Sequence, residues 1–284
     1  MEIKEPLPFK VLKKTFPYLE KLTPSLAENI ATRFFLTPIR FGFTKDEKAF
    51  LPGLTPFELK LKNHSVTAYK SGSGPAIICS HGWAGRGVQF RKFAPQIINA
   101  GYTFVCFDAW GHGNSKGKQS SVFNFAEAIE KLLHEFPETA GVIGHSMGGV
   151  ASGILMEKGV NIPALITIGS PSISEDILND FANAINGSKK VNQGIKKKSL
   201  EKYGRDFEEL SLSKTIKHAS NPVLSVHGSR DKSVNVSNLH AIKSANPAVE
   251  TRIIDDAGHF SILKNETLIS EIVAWIDQQY SKQK

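Results

Sequence analysis

Cysteine is scarce in this chain of 284 residues. The two present, Cys79 and Cys106, both lie in apolar, strand-like runs, which points to buried free thiols and away from a disulfide framework or a thiolate metal site. Long apolar runs are also missing. Met1 to Phe16 interrupts its apolar residues with charges and prolines, so it lacks the core of a secretory signal, and no later run reaches the length of a membrane span. These absences predict a soluble, cytoplasmic chain without stable membrane insertion. Positive charge is in excess, with a net +8. The one dense lysine cluster, Lys189, Lys190, Lys196, Lys197 and Lys198, has no interleaved aromatics on which bases would stack. That argues against a nucleic-acid partner and for solvated surface, with attraction of anionic substrates as the alternative.

What is present is an alternation of strands and helices. Apolar runs at 57–61, 66–70, 76–80, 103–107, 140–143, 165–169, 223–227 and 250–254 predict strands. Amphipathic stretches at 88–100, 122–136, 150–158, 236–245 and 266–280 predict the helices between them. Short strands that are apolar on both faces and alternate with helices form a parallel sheet covered by helices. Residues 1–56 do not share this rhythm and read as an N-terminal extension with a helix from about Thr23 to Leu36. Its aromatic segment 34–43 either packs on the main domain or offers a peripheral membrane contact. A second departure lies at about 171–221, where helical patterns at 175–185 and 207–216 separate two strands: a cap over the site, or a decoration that never meets substrate.

Ligands of an open parallel sheet bind beyond the carboxyl ends of its strands, so the loops there carry the chemistry. After the strand at 140–143, Gly144-His145-Ser146-Met147-Gly148 has the G-x-S-x-G pattern of a nucleophile elbow, a strained strand-to-helix turn that lifts the serine oxygen clear of the backbone. After the strand at 76–80, the glycine-rich His81-Gly82-Trp83-Ala84-Gly85 can aim the Trp83 N–H, together with the Met147 N–H, at a developing oxyanion. His112, between glycines in the loop Asp108–Ser115, reads as a turn-holding group. Asp231 and His259 follow two later strands, giving the order Ser, Asp, His. An imidazole must take the serine proton, and a carboxylate must fix that imidazole's tautomer. Asp255 and Asp256 lie so near His259 in sequence that they read as turn or capping groups.

With His81-Gly82-Trp83, Asp108 and Gly111 to Ser115, the elbow, His227 to Asp231, and Gly258-His259, the chain resembles serine hydrolases of the α/β-hydrolase superfamily over residues 57–284. The resemblance implies the α/β-hydrolase fold: an eight-stranded, mostly parallel sheet with its second strand antiparallel, helices on both faces, and a helical cap after the sixth strand. It also implies a triad of Ser146, Asp231 and His259, with Trp83 and Met147 as oxyanion donors and neither metal nor organic cofactor. The expected activity is hydrolysis of small-molecule carboxylic esters with small to medium apolar acyl groups. Thioesterase, amidase and carbon–carbon hydrolase chemistry, or a non-hydrolytic receptor or scaffold on the same fold, are the alternatives.

Overall fold

The computed structural model describes residues 7–283; residues 1–6 of the expected N-terminal extension, and residue 284, lie outside the described residues. One sheet holds β1 (Thr55–Lys60), β2 (Ser65–Ser71), β3 (Ala76–Ser80), β4 (Thr103–Phe107), β5 (Thr139–His145), β6 (Leu165–Ile168), β7 (Val223–Gly228) and β8 (Glu250–Ile254). Their order is β1-β2-β4-β3-β5-β6-β7-β8. Strand β2 runs antiparallel to both neighbours, and every pairing from β4 to β8 is parallel. Strands β3 to β7 are buried throughout, as continuous apolar runs require. The edge strand β8 is partly exposed and carries Glu250 and Arg252, charges that discourage pairing with another chain. Cys79 and Cys106 sit side by side in the β3–β4 register as buried free thiols, and burial pushes both thiols well above their ordinary pKa.

Helices α1 (Leu7–Leu22) and α2 (Pro24–Phe35) precede the sheet, and α3 (Lys45–Phe50) leads into it. Between strands come α4 (Phe93–Asn99), α5 (Val122–Glu135) and α6 (Met147–Glu157). The stretch between β6 and β7 holds α7 (Ser174–Ala184), α8 (Lys189–Tyr203) and α9 (Leu212–Thr215), and α10 (Ser237–Ala245) and α11 (Glu266–Ser281) close the chain. The main core joins Ile77, Phe104, Ile143, Ile166 and Val226 of the strands to Phe93 and Ile97 of α4 and Ile269, Ile272 and Ile276 of α11. Asn265 caps α11 by accepting from the Leu268 N–H.

Two compact units emerge. One is helical and comprises the described residues to Thr37 with Ile173–Ser211; the other holds the sheet and comprises Pro38–Ser172 with the described residues from Leu212 on. The extension expected over 1–56 is therefore divided. Phe50 meets Phe104 edge-on and Leu54 lies in the main core, which places 38–56 with the sheet. Helices α1 and α2 instead share a core with the insertion: Leu12, Phe16, Ala27 and Ala31 pack with Leu178, Ala182, Ile185, Val191 and Ile195. Phe35 of the aromatic segment packs edge-on against Phe181 and Phe207 in this helical unit.

Sequence reading misses α1 and α8. Helix α1 contains Pro17, which removes the N–H that would bond the Lys13 carbonyl four residues back. The Asn186 side chain supplies the missing donor at 3.0 Å. Helix α8 is lysine-rich with a narrow apolar face, Val191 and Ile195, so its periodicity is faint. Gly194 lets it approach α2 closely, since a Cβ there would stand 2.8 Å from the Glu28 side chain. The cluster lysines in α8 are partly engaged: Lys196 pairs with Glu175 and Glu208, and Lys198 donates to Asn29.

Candidate active site

Strand β5 ends at His145 and α6 begins at Met147, leaving Ser146 alone in the turn between them. Ser146 has φ 52° and ψ −116°, a conformation that L residues rarely adopt and that holds strain at functional sites. The surrounding packing enforces it. A Cβ on Gly144 would stand 2.4 Å from the Gly149 nitrogen, and one on Gly148 would stand 2.3 Å from the Ser80 carbonyl oxygen. Strand, helix and the β3 loop thus converge to backbone contact, and Ser146 and Met147 are left partly exposed at the crossing.

The β3 loop runs beside the turn. A Cβ on Gly82 would lie 2.9 Å from the Ser146 Cβ, so Gly82 brings its backbone against the serine, with Trp83 next in the chain. Among the described residues, neither the Trp83 N–H nor the Met147 N–H has an acceptor. His81 anchors this loop. Its Nδ1 donates to the Gly82 carbonyl at 2.7 Å, and its Nε2 accepts from the Ala109 N–H at 3.0 Å. The Trp83 ring meets His112 edge-on.

Asp231 and His259 come together on the loops after β7 and β8, with His259 Nδ1 2.7 Å from Asp231 Oδ2. Asp231 Oδ1 accepts from the Ser233 and Val234 N–H groups at 2.8 and 2.9 Å. Burial pushes the Asp231 pKa up, but the hydrogen bond from His259 and the Val234 and Ser233 amides outweigh it and hold it below the usual carboxylate value. Because Asp231 accepts, His259 carries its proton on Nδ1 and leaves the Nε2 lone pair free. Gly169, with φ 56° at the end of β6, sits against the pair: a Cβ there would stand 3.2 Å from Asp231 Oδ2 and 3.3 Å from His259 Nδ1. Asp256 turns away to an exposed ion pair with Arg230, and Asp255 is exposed.

His145, the variable residue of the elbow pattern, ties the two halves together. Its Nε2 donates to the His259 carbonyl at 2.9 Å, while its Nδ1 accepts from the Gln89 amide at 3.1 Å. The His145 and His259 rings lie 4.6 Å apart. The serine turn and the histidine loop are therefore bonded through the residue preceding Ser146. No motif in the sequence points to His145, Gln89 or Gly169; the available signal is a histidine, rather than an apolar residue, at the end of a buried strand.

Asp108 organises the β4 loop rather than the chemistry. Its carboxylate accepts from the Gly87 and Asn114 N–H groups at 2.8 and 2.7 Å, and burial pushes its pKa up. A Cβ on Gly113 would stand 2.2 Å from that carboxyl carbon. His112 donates from Nδ1 to the Trp110 carbonyl, the turn-holding arrangement expected of it.

Buried neutral histidines give the sheet unit a pH dependence. Burial, followed for His145 by the nearby His259, lowers its pKa to about 3, and burial lowers that of His112 to about 4. Unfolded, both take up protons near pH 6.5; folded, they do not. Stability from these two groups is therefore complete above the unfolded value and declines as pH falls toward the folded values. Urea unfolding at pH 7 and pH 5 is expected to show a loss on the order of 3 kcal/mol from the pair. Unchanged or greater stability at pH 5 would contradict this.

Comparison with known proteins fits this geometry. A family model described as the α/β hydrolase fold matches residues 75–188. A pimeloyl-[acyl-carrier protein] methyl ester esterase from Aeromonas salmonicida is 23% identical over 251 residues, 74% of this chain and 98% of that protein. Mouse protein phosphatase methylesterase 1 is 29% identical over 136 residues, 43% of this chain but only 35% of that protein. Among solved structures, that of a putative lipase from Acinetobacter baumannii superposes with a TM-score of 0.63 at 17% identity, covering 87% of this chain and 99% of the other, a likeness of fold.

Proposed function

We propose that this chain, which belongs to the α/β-hydrolase superfamily, is a serine hydrolase that cleaves carboxylic esters through a covalent acyl-enzyme. The observation that carries the reading is the strained Ser146 turn bonded, through His145, to the loop bearing the Asp231–His259 pair. In this reading His259 Nε2 takes the Ser146 hydroxyl proton as the serine oxygen attacks the ester carbonyl. The negative charge that develops on the carbonyl oxygen rests on the Trp83 and Met147 N–H groups, donors otherwise without an acceptor among the described residues. His259 then gives its proton to the departing alcohol. Water, deprotonated by the same imidazole, releases the acid and restores the serine. Asp231 stabilises the imidazolium at each stage.

Two of the sequence relatives are named for methyl esters, which favours an ester over an amide as the bond cleaved. Phe260, exposed and edge-on to His259, offers apolar surface beside the base and favours a small to medium apolar acyl group. A series of p-nitrophenyl esters of increasing acyl length, run beside the matching p-nitroanilides, tests both points. The expected result is turnover of the shorter esters with little or none of the anilides. Preferential cleavage of anilides, or no ester turnover by folded protein, would overturn the reading.

A further inference from the structure

Helix α1 has two apolar faces, and its own unit uses only one. At 100° per residue, Leu12 and Phe16, both buried, and Phe9 and Leu19, partly buried, occupy the face turned to the helical unit's core. Leu7, Val11, Tyr18 and Leu22 fall within about 60° of one another on the other side, and they are 74%, 53%, 71% and 78% exposed. Scattered exposed apolar residues need no explanation, but a register-matched row of four along one helix does.

The polar residues around the row say what covers it. Lys10, Lys14 and Lys21, all exposed, line one of its edges. The only acid in α1, Glu20, lies on a different side and is held by the Ser188 N–H and hydroxyl. Thr15, on the other edge, bonds its hydroxyl to the Val11 carbonyl, so it asks nothing of an environment. Among the described residues of α1, the exposed face thus combines an apolar row with a row of cations and no anion. A second copy of the chain seated on it would supply no acidic row from its own α1. A bilayer of anionic phospholipids supplies both complements, acyl chains for the leucines and headgroup phosphates for the lysines. No described helix is long and apolar enough to cross a membrane, so α1 would lie on it.

We propose that α1 docks the protein on anionic membrane surfaces through Leu7, Val11, Tyr18 and Leu22, with Lys10, Lys14 and Lys21 on the headgroups. This places the contact on α1 rather than on the 34–43 segment, whose Phe34 and Phe35 pack within the helical unit and whose Phe43 lies under the Arg86 guanidinium. The inference does not depend on the role given to Ser146.

Co-sedimentation of the full chain with phosphatidylcholine vesicles, with and without phosphatidylglycerol, tests it. The protein is expected to pellet with the anionic vesicles and to be released as salt rises. Combined Leu7→Ser, Val11→Ser, Tyr18→Ser and Leu22→Ser should weaken partitioning at least about tenfold. Combined Lys10→Gln, Lys14→Gln and Lys21→Gln should remove the preference for anionic vesicles. Both variants change exposed side chains only, so circular dichroism should match the parent. Absence of the parent from the anionic pellet, or equal pelleting of the serine variant, overturns the proposal. A parent that sediments as a dimer in solution, dissociated by the serine changes, also overturns it and assigns the row to a second copy.

Discussion

Ser146→Ala is expected to lower kcat/KM for ester hydrolysis by roughly four orders of magnitude or more, because in the proposed mechanism it removes the group that forms the acyl bond while the surrounding donors remain. Ser146→Gly should be just as inactive but should differ in stability. Ser146 holds φ 52° and ψ −116°, and strain of this kind costs on the order of 1–3 kcal/mol for a residue with a Cβ. Alanine keeps the Cβ and the strain; glycine relieves it, offset by roughly 0.5–1 kcal/mol of extra chain entropy in the unfolded state. The glycine variant should therefore melt above the alanine variant by a few degrees, about 2–4 °C for a chain of this size. Thermal unfolding of the two variants side by side measures this. A glycine variant that melts lower would show that the turn is not strained in the way its dihedrals indicate.

Asp231→Asn is expected to cost about 10⁴-fold in kcat, and the reason lies in the hydrogen bonds around the carboxylate. Oδ1 accepts from the Ser233 and Val234 N–H groups, while Oδ2 faces His259 Nδ1. An asparagine must keep its oxygen toward those two amides, since turning its NH₂ onto them would set donor against donor. Its NH₂ then faces His259 and donates to Nδ1, which moves the imidazole proton to Nε2. In that tautomer the ring cannot take the serine proton. The fold should survive, because the loop's backbone bonds are kept, and KM should change far less than kcat. Steady-state kinetics of the variant, beside nitrogen chemical shifts of the His259 ring, would report both the loss and its cause. Activity within tenfold of the parent would contradict the role given to Asp231.

The parts of this molecule that were legible in the sequence share a cause. Strands β3 to β7 are buried on both faces, so each appears as a mainly apolar run, broken by small polar residues such as Thr167 and Ser225 that bond one another, and the loops that follow these runs gather at one edge of the sheet. Gly144 and Gly148 were legible for steric reasons, and backbone lies where their side chains would go. Ser146, Asp231 and His259 could be proposed together because a nucleophile, a carboxylate and an imidazole would follow separate strands, and the structure brings Asp231 and His259 to 2.7 Å of one another. What escaped reading depends on contacts distant in sequence. Pro17 argues against α1 until Asn186, far along the chain, supplies the donor that proline removes. Helix α8 shows little periodicity because lysines fill most of its surface. The joint core of α1 and α2 with the 173–211 insertion cannot be read from either segment alone. His145 occupies the free position of its motif, and its partners, the His259 carbonyl and the Gln89 amide, lie far from it in sequence.

In the proposed mechanism Ser146 is activated by the Asp231–His259 pair to form a covalent acyl-enzyme. Incubation of the folded protein with a fluorophosphonate probe, followed by intact mass and peptide mapping, tests it most directly. The expected result is one adduct per chain, on Ser146, lost in Ser146→Ala and slowed in Asp231→Asn. Folded protein that gains no adduct, or an adduct mapped to a different serine, would contradict the account.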